Sequence, residues 1–262
     1  VIIDIHAHQT RYDDKLEKQP YPPAQWIDVI LAEAAHAGID KLCLLGDFTF
    51  YAPPDEVVKF NDCTMAMVER HPGRVFGLCF LNARHDRAFC ENEIDRCVRN
   101  GPLCGVKLEL EVNARNKRLD PIMEQAAALD VFVLHHSWYK TVDKYDDESD
   151  PSDIAHLAAR HPNTRIVMAH LTAGGMRGVL DIARYENVIV DTSGSQPFAG
   201  MVEYAVNKLG AHRVAYGSDI MGRDFSAQLG RVLGAKLTDE QREMVLWRNA
   251  ARLLKIEQEV AA

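Results

Sequence analysis

No apolar run approaches the roughly 18 residues that a membrane-spanning helix needs, and no segment has the charged, apolar and small-residue order of a secretory leader. Export and membrane insertion lack support on this reading, and a cytoplasmic location is expected. Long runs of Lys and Arg are missing too: 30 basic residues face 38 acidic ones, for a formal charge of -8. Phosphate backbones bind concentrated positive fields, so no nucleic-acid partner is expected, although a local basic pocket for a small anion is compatible with that balance. The six cysteines form no Cys-x-x-Cys pair, and three of them lie in apolar strand-like runs, so they read as reduced core thiols. No linker rich in Pro, Gly or Ser divides the chain, and one domain covering residues 1–262 is expected.

What is present is enough apolar mass for a large core, 47% hydrophobic against 26% charged residues, in a length typical of one α/β barrel. Short β-branched or apolar runs alternate with longer helix-like stretches from end to end, the pattern of repeated βα units around a parallel sheet. Eight strands are predicted: Val1–Ala7, Asp40–Leu45, Arg74–Leu81, Leu103–Leu108, Val131–His136, Arg165–His170, Asn187–Asp191 and Arg213–Ser218. The fold class this implies is a (β/α)8 TIM barrel. Asp150 before Pro151 looks like a helix start, and Thr238 with Gln241 like a capping box. His71 and His161 end two similar helix-to-strand turns and read as helix-terminal residues, not ligands. A further helical segment, about 238–256, is expected to pack across the outside of the barrel.

In a parallel barrel every strand delivers its last residues to one face, so polar residues at separate strand ends converge. Here those ends carry His6 and His8, Asp47, Asn82, Lys107 with Glu109, His135 with His136, His170, Asp191 and Asp219. Asp4, His6 and His8 sit at i, i+2 and i+4, which predicts one shared strand face, with Ile3, Ile5 and Ala7 turned to the helices. Two imidazoles on one face can grip an ion, and His136, His170 and Asp219 on later strands make a metal reading much stronger than rim histidines alone. Imidazole and carboxylate donors suit one divalent metal ion, zinc first, with manganese, iron or cobalt as alternatives. His170 or Asp219 would then move the proton. Strand five ends in two histidines, and alternation lets only one of His135 and His136 point inward. Asp47, Asn82 and Asp191 read as rim hydrogen-bonding residues.

These residues resemble the amidohydrolase superfamily over nearly the whole chain, in particular its amidohydrolase-related branch of hydrolases, lactonases and metal-dependent non-oxidative decarboxylases. The matching pieces are Asp4-Ile5-His6-Ala7-His8, Gly105-Val106-Lys107-Leu108, His136-Ser137-Trp138, Met168-Ala169-His170, Tyr216-Gly217-Ser218-Asp219 and Asn249-Ala250-Ala251-Arg252-Leu253-Leu254. The resemblance implies a distorted barrel with one metal at its mouth, held by His6, His8, His136 and Asp219, with His170 a further ligand or the group that polarises water. Its His-Ser-Trp context favours His136 over His135. Lys107 and Glu109 occupy the place where some members carry a carboxylated lysine between two metals; in this branch they are expected to be structural or substrate-contacting. The segment Ile220-Met221-Gly222-Arg223-Asp224 departs from the family's usual proline after the aspartate.

The first functional expectation is hydrolysis of an amide, lactone or ester of a small carboxylated or aromatic molecule, with Asp219 and His170 catalytic. The alternative is decarboxylation of an aromatic or unsaturated acid at the same site; the third reading is a catalytically silent metal-binding barrel. Candidate substrate contacts are Lys107, Glu109, Arg84, Trp138, Tyr139 and Arg223, with Arg11, Tyr12, His85, Arg115, Lys117, Arg118 and Lys140 in loops that share the mouth. Arginine forks suit carboxylates and an aromatic pair suits a flat wall. A homo-dimer or higher homo-oligomer is expected by resemblance.

Overall fold

The computed structural model describes residues 1–9, 23–46, 50–196, 198–220 and 222–260. Arg11, Tyr12 and Asp47 lie outside the described residues. Strands and helices alternate as β1 (Ile3–Ala7), α1 (Pro23–His36), β2 (Lys41–Leu44), α2 (Pro54–Arg70), β3 in two pieces (Val75–Gly77 and Cys79–Leu81), α3 (Arg87–Ile94) and β4 (Gly105–Leu108). They continue with α4 (Asp120–Ala128), β5 (Phe132–His135), α5 (Pro151–Arg160), β6 (Arg165–Met168), α6 (Leu171–Ile182), β7 (Val188–Asp191), α7 (Met201–Leu209), β8 (Val214–Ala215) and α8 (Phe225–Leu233).

All strand pairs are parallel and consecutive. The break in β3 at Leu78 leaves the ladder connected, because Leu78 N donates to Leu44 O at 2.8 Å and Cys104 N to Gly77 O at 2.9 Å. The ring closes where Ile5 N donates to Tyr216 O at 3.0 Å, Asp219 N to His6 O at 2.8 Å, and Ala7 bridges to Ile220. The expected (β/α)8 barrel is therefore the fold.

Its core has two layers, because every strand is buried on both faces. Val106, Val133, Ile166, Val188 and Val190 pack outward with helix residues such as Ile27, Ile30, Ile154 and Val179. Cys43, Leu45, Phe132, Leu134, Val167, Ala169, Ile189 and Ala215 pack inward. Ile3 and Ile5 belong to this inner layer and only Ala7 to the outer one, which corrects the simple alternation expected for β1. The pairing of β1 with β2 slips between Asp4 and Ala7, and such an irregularity re-aims side chains. The six cysteines are free thiols.

Local boundaries follow their chemistry. Asp150 and Thr238 both make reciprocal capping boxes, with Asp153 and Gln241 respectively. His71 and His161 are the C-terminal caps of α2 and α5, and His161 Nε2 lies 2.8 Å from Asp120 Oδ1.

Of the C-terminal segment, α9 (Asp239–Glu243) and a π turn (Met244–Arg248) lie on the barrel's outside as expected, with Val245 and Leu246 in the outer layer and Arg242 donating to the carbonyls of Val232 and Leu233, but α10 (Asn249–Leu254) does not. Ala250, Ala251, Leu253, Leu254 and Ile256 join the inner-layer cluster. Asn249 Nδ2 donates to Ala211 O and Val214 O at 2.7 Å each, and Lys255 Nζ pairs with Asp130 Oδ2 at 2.8 Å. Those partners stand at the entry ends of β8 and β5, so α10 plugs the end of the barrel opposite its mouth. Leu253→Ala is accordingly expected to cost about 2–5 kcal/mol, as for a core leucine; urea unfolding with an unchanged midpoint would contradict the plug.

Candidate metal centre and its cleft

Asp191, the last residue of β7, is fully buried and gathers donors from three directions. Its Oδ2 lies 2.7 Å from His6 Nδ1; its Oδ1 accepts from the backbone N–H of His170 and of Ser193, each at 3.0 Å, and from the Ser193 hydroxyl. Burial by itself would raise this carboxyl, but the field and hydrogen bond of His6, then His170 and Ser193, bring it down to about 2. With Nδ1 engaged, the His6 ring presents Nε2 to the barrel mouth.

His6 Nε2 stands 3.5 Å from Asp219 Oδ1, and His8 Nε2 is also 3.5 Å from that oxygen. His6 Nε2 and Asp219 Oδ1 are buried and make no hydrogen bond. Two donors about 2.1 Å from a shared ion at a tetrahedral angle sit about 3.4 Å apart, so the spacing fits a divalent cation better than a direct hydrogen bond. His6, His8 and Asp219 form one compact donor group that could hold a metal, and His6, His170 and Asp191 a second that shares His6. Burial keeps His8 and, more strongly, His170 below the usual imidazole range, which favours the neutral, ligating form. Burial would raise Asp219, yet contact with His8 and the fields of His170 and His6 hold it well below the usual carboxylate range.

His170 and Asp219 both adopt left-handed backbone, φ 71 and 60 degrees, just past the ends of their strands. Such strain in non-glycine residues gathers at functional sites and must be held by neighbours. Asp191 holds the first through the His170 N–H; the His6 carbonyl holds the second through the Asp219 N–H at 2.8 Å. Gly217 is required between them, because a Cβ there would lie 2.9 Å from His6 Cβ and 3.1 Å from Asp191 Cβ.

Strand five settles which of its two histidines faces inward. Phe132 and Leu134 lie in the inner layer and Val133 in the outer one, so alternation sends His136 into the barrel and His135 toward the helices. His136 Nδ1 is 3.2 Å from His170 Nε2 and 3.7 Å from Glu109 Oε2. Burial drives His135 down to about 4, and its Nδ1 meets the His136 carbonyl at 2.7 Å. Lys107 is completely buried below this level with Nζ 3.0 Å from Glu109 Oε1. Glu109, which burial would raise, is brought to about 2 by Lys107, His136 and His8.

A cleft of about 330 Å³ opens above His136, lined by Phe50, Trp138, Lys140, Tyr145 and Arg223 among others. Trp138 stacks on the His136 ring at 6.3 Å between centroids, and Arg223 Nε lies 3.8 Å from Asp219 Oδ2. Other expected contacts are turned elsewhere. Tyr139 donates its hydroxyl to Asp181 with Arg177 over its ring. Arg84 binds Asp147 at 2.6 Å and the Glu111 carbonyl at 2.8 Å; Arg115 pairs with Asp153 and Arg118 with the carbonyls of Arg84 and His85. Larger hollows, of about 510 and 650 Å³, lie among helices away from the strand-end histidines. Reading the sequence missed the part played by Asp191, and missed Ser193 and Glu148; the only available signal was that Asp191 is a strand-end carboxylate.

A cluster of histidines and carboxylates at the C-terminal mouth of a (β/α)8 barrel defines a barrel enzyme. The chain belongs to the amidohydrolase family, whose sequence profile it matches over residues 3–256. No curated protein sequence matches it. Among solved structures it is similar to 2,6-dihydroxybenzoate decarboxylase from Rhizobium (16% identity, 98% of this chain and 100% of that one, TM-score 0.73). It is also similar to 5-carboxyvanillate decarboxylase from Novosphingobium aromaticivorans, complexed with manganese and 4-hydroxy-3-methoxy-5-nitrobenzoic acid (15%, 97% and 96%, TM-score 0.75). A third is 4-oxalomesaconate hydratase from Rhodopseudomonas palustris (14%, 100% and 98%, TM-score 0.72). At such identities the likeness establishes the shared fold.

His6→Ala and His8→Ala are each expected to lower bound divalent metal at least about tenfold while circular dichroism stays native, since they remove donors and not core. Plasma mass spectrometry that finds a full equivalent of metal in either variant would count against this donor group.

Proposed function

We propose that this enzyme is a metal-dependent, non-oxidative decarboxylase of a small aromatic or unsaturated carboxylic acid, the alternative to the hydrolysis expected first. The observation that carries the reading is the cleft itself: aromatic walls from Phe50, Trp138 and Tyr145, two cations from Lys140 and Arg223, and His136 at its floor. A flat acid matches such a slot, because rings stack on aromatic faces and a guanidinium donates two parallel hydrogen bonds to a carboxylate. Two decarboxylases of aromatic acids with the same fold support it, one of them complexed with manganese.

On this reading His6, His8, His136 and Asp219 hold one divalent ion, for which zinc and manganese are both suited by the nitrogen and oxygen donors. When bound, that ion would supply electrophilic anchoring of the substrate and a sink for charge left by the departing carboxyl. Trp138 orients the ring, and Arg223 and Lys140 hold the anionic group. Carbon dioxide leaves with cleavage of the carbon–carbon bond; the electron pair stays on the substrate carbon, and a proton taken up from solvent and passed on by Asp219 replaces the carboxyl. His170, 3.9 Å from Asp219 Oδ2, is placed to exchange that proton.

The test is to load the protein with manganese or zinc and incubate it separately with hydroxylated benzoates, lactones and amides. Release of carbon dioxide from an acid, without hydrolysis of the others, is expected; turnover of lactones or amides alone would return the assignment to hydrolysis. Asp219→Asn should lose at least about a hundredfold in kcat and retain more metal than His6→Ala. An active Asp219→Asn variant would remove its proton-transfer role.

A further inference from the structure

The loop between β5 and α5 returns a carboxylate to the strand it leaves. Glu148 is completely buried, twelve residues beyond His136, and its Oε1 lies 2.7 Å from His136 Nε2 and 2.9 Å from Lys140 Nζ. Its Oε2 accepts from the Tyr145 N–H at 3.2 Å. The loop holding it is pinned at its base, where Trp138 N donates to Ser149 O and Ala114 N to Ser149 Oγ, each at 2.9 Å. A carboxylate buried this deeply is costly unless charged or polar partners satisfy it, and here one partner belongs to the metal centre and the other to the cleft.

The two partners have different consequences. An ionised carboxylate only accepts, so the 2.7 Å contact requires the proton of His136 on Nε2 and leaves the lone pair on Nδ1, the nitrogen that faces His170 and Glu109. Lys140, tethered to the same oxygen, carries its ammonium over the Trp138 ring at 5.5 Å and the Tyr145 ring at 5.2 Å. Both rings line the cleft.

We propose that Glu148 is a positioning residue that serves both halves of the site: it sets the tautomer and angle of His136 for the metal centre, and it holds Lys140 in the cleft to meet the substrate's anionic group. The metal half of this inference rests on the function proposed above; the tautomer half does not. Loss of Glu148 frees the His136 ring to rotate or exchange its proton and releases Lys140 at the same time. Loss of Lys140 leaves His136 held.

The experiment compares wild type, Glu148→Ala, Glu148→Gln and Lys140→Met, with native circular dichroism and thermal unfolding as the folding check. Three quantities are read: manganese affinity by competition with a chelating dye, the His136 tautomer by long-range 15N–1H NMR of the metal-free protein, and KM against kcat for an acid that is turned over. Glu148→Ala is expected to weaken manganese binding by about ten- to a hundredfold, to lose the Nε2–H tautomer and to raise KM. Glu148→Gln, which still accepts from Nε2, should keep the tautomer and recover most of the affinity. Lys140→Met should raise KM and leave manganese affinity and tautomer unchanged.

Glu148→Ala with wild-type affinity and tautomer would overturn the proposal, as would Lys140→Met weakening manganese binding as much as Glu148→Ala does. If wild type binds no manganese or zinc, the functional reading fails while the tautomer measurement still decides Glu148. If Glu148→Ala does not fold, Glu148→Gln carries the test: a mixed tautomer in it, with the fold intact, overturns the inference.

Discussion

The buried Asp191 carboxylate is the constraint on which the mouth of this barrel depends. A charge taken out of water is tolerated only when donors replace its hydration, and Asp191 recruits them from His6, His170 and Ser193. Each donor is thereby fixed. The His6 ring keeps one orientation, and the His170 backbone keeps a left-handed conformation that its side chain would otherwise disfavour. The donor group facing Asp219 thus inherits its geometry from a residue that does not itself meet Asp219.

The same logic recurs one layer out. Glu109 is balanced by Lys107 beneath the site and Glu148 by Lys140 at its rim, so buried carboxylates alternate with cations from the inner core to the cleft. Negative charge is balanced by these lysines, while burial depresses the basicity of His8 and His170 and favours their neutral form. At the opposite end the filling is apolar: α10 and Ile256 supply alanine, leucine and isoleucine to the inner layer, with Asn249 and Lys255 tying the plug to the strand entries. Stability and chemistry are divided between the two ends, as the parallel arrangement of strands allows.

The fold is shared with enzymes that differ in reaction, decarboxylases and a hydratase among them. A fold of this kind leaves reaction choice to the loops, because the strand ends supply a common set of donors while the cleft above them selects the substrate. In this chain the loop from Ser137 to Asp150 provides Trp138, Lys140, Asp143 and Tyr145 of that cleft and also Glu148.

Periodicity and residue type alone determined the eight βα units, their order and the helix caps at Asp150 and Thr238, since those depend on interactions within a few residues. They also named the strand-end histidines and Asp219, because a parallel barrel brings every strand's last residues to one face. Tertiary structure alone decided what depends on distance in space and not in sequence. The slip in β1 turned Ile3 and Ile5 inward, against simple alternation. The α10 segment went to the base instead of the outer wall, where only the barrel's own diameter could show there was room. Arg84 and Tyr139 were turned to Asp147 and Asp181, partners 63 and 42 residues away, while Asp191 and Glu148 reached His6 and His136 across 185 and 12. A charged residue in a loop reads the same whether it meets solvent, a substrate or a buried imidazole, and only packing distinguishes the three.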